Sequence, residues 1–120
     1  MFIISGIIAA LLAATVVALV IITLGKLIDI LLGVKEEYGT TVLAGDVRDI
    51  IGKVLDENID AANTIDLQGL RDKAGTKGMF TAAVKGGTVV RESLRLVSSD
   101  QRDEETENLM RENNGMALFS

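Results

Sequence analysis

Residues 1–25 read MFIISGIIAALLAATVVALVIITLG, and how this stretch is read decides the fold. Its only polar side chains are Ser5, Thr15 and Thr23, whose hydroxyls can bond back to the preceding turn of a helix. As a continuous helix the run would reach roughly 37 Å, against a hydrocarbon core of about 30 Å. The sequence therefore predicts a transmembrane helix. A signal peptide would want a basic leader and a shorter apolar stretch, whereas here the apolar run starts at Phe2. Lys26 and Asp29, three residues apart, are expected to pair at the interface, with the helix continuing to about Leu32 and ending at Gly33.

Working outward, the expected fold is mainly α. Residues 1–33 form the span and its interfacial extension, 34–45 a connector, 46–97 a small helical domain, and 98–120 an acidic segment with an apolar end. Lys26, Lys35, Arg48 and Lys53 follow the span and no charged residue precedes it, which orients the polar part to the cytoplasmic side, or its counterpart in a membrane-containing virion. Within the span, Gly6, Ala10, Ala14 and Ala18 recur every four residues, a spacing that lets membrane helices pack closely.

In the polar part, Val47, Ile50, Ile51, Val54 and Leu55 follow a helical period behind Asp46, a candidate cap, and form a face that must be buried against this chain or a partner. Leu67 to Lys73, capped by Asp66, and Met79 to Lys85, ended by Gly86 and Gly87, are expected as further helices. Thr88 to Val97 fits either helix or strand and is read as helix. Met116, Leu118 and Phe119 close the chain as an apolar docking end.

Charge is arranged in blocks that the net of −5 conceals. Residues 26–67 are acidic, 68–97 basic and 98–120 acidic again, so opposite blocks can satisfy one another within or between chains. Histidine, cysteine, proline and tryptophan are absent, which removes disulfides, imidazole bases and the common zinc ligand sets. Gly75-Thr76-Lys77-Gly78 and Lys85-Gly86-Gly87-Thr88 lack the spacing of a phosphate-binding loop, and the acids Asp100 to Glu107 lack that of a calcium loop.

No catalytic, cofactor or metal site is therefore expected, and neither nucleic acid nor a small-molecule substrate as partner. The organisation resembles that of small structural membrane proteins, including minor proteins of membrane-containing viruses. The expected function is a non-enzymatic structural or scaffolding subunit of a membrane-associated assembly, such as a virion or envelope complex, bound to the bilayer and to other subunits or copies of itself. A holin-like pore and a membrane-tethered regulator docking through its C-terminal end are the alternatives.

Overall fold

The apolar run does not form one helix. The computed structural model describes residues 9–39, 41–57 and 67–120, leaving aside the side chains at 53–55 and 57. Residues 9–12 are helical, after which the chain runs β1 (Thr15–Ala18), α1 (Leu24–Tyr38), β2 (Thr41–Asp46), α2 (Val47–Glu57), α3 (Leu67–Ala74), β3 (Met79–Lys85), β4 (Thr88–Val89), a 3-10 turn (Arg91–Ser93), β5 (Arg95–Ser98), α4 (Glu104–Glu112) and β6 (Met116–Phe119). Thr15, Val16 and Val17 are β-branched and suit a pleated strand. Their ladder partner comes from eighty residues further on, in parallel register from Thr15↔Arg95 to Ala18↔Ser98. Among the described residues no helix is long and apolar enough to cross a membrane. The expected transmembrane helix, the single-pass location and the mainly α fold are corrected accordingly: this is an α/β domain.

Six strands make one mixed sheet in the order β1-β5-β3-β2-β6, with β4 hairpinned onto β3. Only β1 and β5 run parallel; the other pairs are antiparallel. Each face of the sheet carries its own core. One gathers Leu11, Leu43, Phe80 and Leu96 under Val47, Ile50 and Ile51 of α2 and Leu70 of α3. The other gathers Val42, Ala44, Met79, Ala83 and Val97 under Leu27, Leu31 and Val34 of α1 and Met110 of α4. The apolar run is thus divided, Leu11 going to the first core and Ile22, Leu27 and Leu31 to the second. Strands covered on both faces need apolar side chains in both directions, so they read as unbroken apolar stretches.

The same constraint corrects the helices expected at 79–85 and 88–97. Met79, Phe80, Ala82 and Ala83 are all buried, alternating between the two cores, so the period of two is masked. Gly86 and Gly87, at φ 60° and 79°, form the two-residue turn between β3 and β4 and terminate no helix. By contrast α2 lies where its periodicity puts it, and its apolar face meets this chain's own sheet through Val47, Ile50 and Ile51; the side chains of Val54 and Leu55 lie outside the described residues. Asp66 also lies outside them.

Gly45 of β2 stands opposite Phe80 of β3, and a Cβ added there would overlap the Phe80 ring. Gly45→Ala is therefore expected to cost about 1–3 kcal/mol by overpacking. Urea denaturation should show a lower midpoint at an unchanged slope; an unmoved midpoint would reject this ring-over-glycine contact.

Candidate functional site

Register places the C-terminal ends of β1, β2 and β5 at one end of the sheet: Ala18 beside Ser98, and Asp46 opposite Met79, which is opposite Val97. A helix begins beyond each of these strands, α1, α2 and α4 in turn. From β2 the chain passes to the first face, and from β5 to the second. Helices that leave neighbouring parallel strands toward opposite faces open a crevice at the carboxyl ends of those strands, the usual place for a ligand in an open α/β sheet. Here antiparallel β3 lies between the two.

Arg102 forms the floor. Its side chain is 2% exposed; Nη1 contacts Asp46 Oδ2 at 2.7 Å, Nε donates to Lys77 O at 2.9 Å, and Nη2 donates to Gly78 O at 3.0 Å. The other oxygen of Asp46 accepts from the backbone N–H of Arg48 at 2.8 Å and of Asp49 at 3.4 Å, so the expected cap of α2 is formed. Asp46 N in turn donates to Gly115 O at 2.7 Å. One guanidinium thereby ties the β2–α2 corner to the turn entering β3, and Asp46 ties both to the start of β6.

Asp103 plays the second cap. Its Oδ1 accepts from Thr106 N at 2.9 Å and Thr106 Oγ1 at 2.5 Å, so it caps α4, and its Oδ2 accepts from Leu24 N at 3.2 Å, supplementing the cap that Thr23 gives α1 through Lys26 N at 3.2 Å. Its pKa is held below the usual carboxylate value, first by the Thr106 hydroxyl, then by the Thr106 N–H and, more weakly, by the Leu24 N–H; partial desolvation opposes them. With Asp46 and Asp103 in place, internal carboxylates already occupy the positions at which helix N-termini would take a phosphate.

Two clefts open beside this floor, on either side of Arg48. The first, about 490 Å³, is lined by Arg48, Arg71, Asp72, Thr76 and Asp100 among others. The second, about 540 Å³, lies between α2 and α4, above Asp46 and Arg102. Among the described residues no group of three or more acidic side chains is placed to hold a metal ion.

The residues singled out in the sequence are not brought together here. Ala10 and Ala14 are half-buried against the first core in different local structures, Ala18 ends β1, and Gly6 lies outside the described residues. Met116, Leu118 and Phe119 form β6 against β2, with Met116 and Phe119 packed on opposite cores and Leu118 67% exposed. Gly75–Gly78 is the turn from α3 to β3. Arg102 and Arg71 carry no signal in the sequence; Asp100 and Asp103 belong to the acidic run that lacks a calcium loop's spacing, and Asp103, three residues before Thr106 and ahead of Leu109 and Met110, also carries a local capping signal. Comparison with protein-family models, with curated proteins and with solved structures finds no match.

Arg102→Leu strands Asp46 without its counter-ion and is expected to cost about 3–5 kcal/mol. Adding Asp46→Asn, which keeps the α2 cap but removes the charge, should restore part of that loss in urea melts; a double variant no better than the single would overturn the ion-pair account. For Asp103, a pKa lower in the folded than in the unfolded chain means that its stabilisation is complete above the unfolded value of about 3.9 and is lost as pH falls through the folded value. Asp103→Asn keeps a capping oxygen, so it should lower Tm at pH 7 and flatten the acid limb below about pH 4. Superimposable wild-type and variant curves would reject the assignment.

Proposed function

We propose that the protein is a non-catalytic structural subunit that joins copies of itself through the free edge of β1. The observation that carries this reading is the edge itself. Among the described residues β1 pairs only with β5, so the outward backbone N–H and C=O groups of Thr15–Ala18 form an open ladder. Proteins usually guard such edges with lysine, proline or a bulge, yet no charged residue or proline occurs from residue 9 to residue 25. Val16 is 44% exposed and Val20 84%.

A second copy fits this edge by its own symmetry. Antiparallel pairing about Val17 would set the two Val17 residues opposite each other and Val16 opposite Ala18 of the second copy, the latter pair occurring twice across a two-fold axis, with Val20 just beyond the paired strand. Cross-strand β-branched pairs contribute roughly 0.2–1 kcal/mol each. Two chains of net charge −5 also repel least where they meet without charge. The non-catalytic part of the reading is supported by the absence of histidine and cysteine and by the use of the buried Arg102–Asp46 pair to hold backbone. The pore and the tether both needed a membrane span and are not carried forward.

Light scattering after gel filtration at about 0.1 mM, a concentration that populates even a weak dimer, should give twice the chain mass. Val16→Lys and Val20→Lys should each shift the protein to monomer with an unchanged far-UV spectrum. A monomeric wild type, or a dimer undiminished in both variants, would refute this function.

A further inference from the structure

The first cleft gathers charged side chains from separate segments of the chain. It brings together Arg48 from the first turn of α2, Arg71 from α3, Thr76 from the turn before β3 and Asp100 from the turn after β5. Among the described residues neither guanidinium has an ion-pair partner, although two carboxylates line the same cleft. Those carboxylates are engaged by uncharged donors instead: Asp72 Oδ1 accepts from Gln68 Nε2 at 3.1 Å, and Asp100 Oδ1 accepts from Thr76 N at 3.4 Å. Two arginines thus keep their donor forks available for a planar carboxylate, and Asp100 keeps acceptor capacity for a donor of opposite charge.

The lining holds two cations and two anions. A phosphate or a dicarboxylate would satisfy the arginines while standing against Asp72 and Asp100, at a cost from like charge. A molecule carrying both signs satisfies both pairs. The volume, about 490 Å³, lies within the range of small-molecule sites. The cleft also adjoins the carboxyl ends of β2 and β5, where the chain departs to opposite faces of the sheet.

We infer that this cleft binds a small zwitterion of the α-amino acid class, its carboxylate against Arg48 and Arg71 and its ammonium against Asp100. The molecule is a ligand that is held and not a substrate that is transformed, and the inference does not depend on how copies of the chain associate.

Isothermal titration and thermal shift on the full chain test it, with L-alanine as the zwitterion and acetate, methylammonium and inorganic phosphate as single-sign probes. L-alanine should bind saturably and raise Tm, and the three controls should bind about tenfold more weakly or not at all, since each satisfies one set of charges only. Arg71→Gln and Asp100→Asn should each weaken L-alanine binding by about tenfold or more. Both replaced residues are exposed, and Asn keeps an acceptor for the Thr76 N–H, so unliganded Tm should hold. No binding of L-alanine, equal binding of acetate or phosphate, or full affinity in both variants would overturn the inference.

Discussion

The arrangement at the working end of the sheet depends on one buried guanidinium. Arg102 loses nearly all its hydration, a penalty of several kcal/mol that a single carboxylate at 2.7 Å would not reliably offset. It is offset here because two further N–H groups find the carbonyls of Lys77 and Gly78, and because Asp46 spends its second oxygen on the first turn of α2. The result is geometric more than energetic. The corner after β2, the entry to β3 and the approach to α4 share one set of bonds, so none can shift alone.

That floor also fills the N-termini of the three helices that begin at one end with the chain's own oxygens. Asp46 caps α2, Asp103 caps α4, and Thr23 and Asp103 share the first turn of α1. What remains open lies beside the helix ends, where side chains from α2, α3 and the turn after β5 converge. The charge blocks are resolved in the same economical way: Arg95 of the basic block meets Glu37 at 3.2 Å and Lys77 meets Glu107 at 3.0 Å, joining it to both acidic blocks within one chain.

How much of this could be read from the sequence depended on whether the deciding contact was local. The cap and apolar face of α2 lie within a dozen residues and were legible, as was the Gly86-Gly87 break, though it turns a hairpin. The first 25 residues were not. A membrane span and a chain shared between two protein cores both require uninterrupted apolar side chains, and the fact that separates them, the ladder from Thr15 to Arg95, is eighty residues away. The β-branched triplet Thr15, Val16, Val17 was the one local sign of strand. For β3 and β5 burial on both faces erased the alternation that would have marked them. The cleft was illegible for a related reason: residues 48, 71 and 100 become neighbours only once the sheet order is known.

The edge strand and the cleft approach each other closely enough to ask whether they communicate. Val20, at the end of the edge, and Asp100, at the cleft, both flank Ser99, whose hydroxyl hydrogen-bonds Val20 O at 3.1 Å. Coupling between two sites needs an element with two arrangements that both ligands bias. This segment is tied on several sides. Ser99 N donates to Ala74 O, Lys77 N to Ser99 O, Leu19 N to Ser98 O and Ile22 N to Gln101 O, all between 2.9 and 3.0 Å, so it is held from α3, from the β3 turn and from the edge strand at once. Ser99 is 4% exposed and bonded through its N, O and Oγ, while Val20 and Asp100 on either side of it line one shallow concavity together with Leu19, Ser98 and Gln101. A strand docked at the edge and a molecule held in the cleft would therefore share this hydrogen-bonded segment, and any linkage between them would run through the Val20 and Asp100 side chains that line the same concavity.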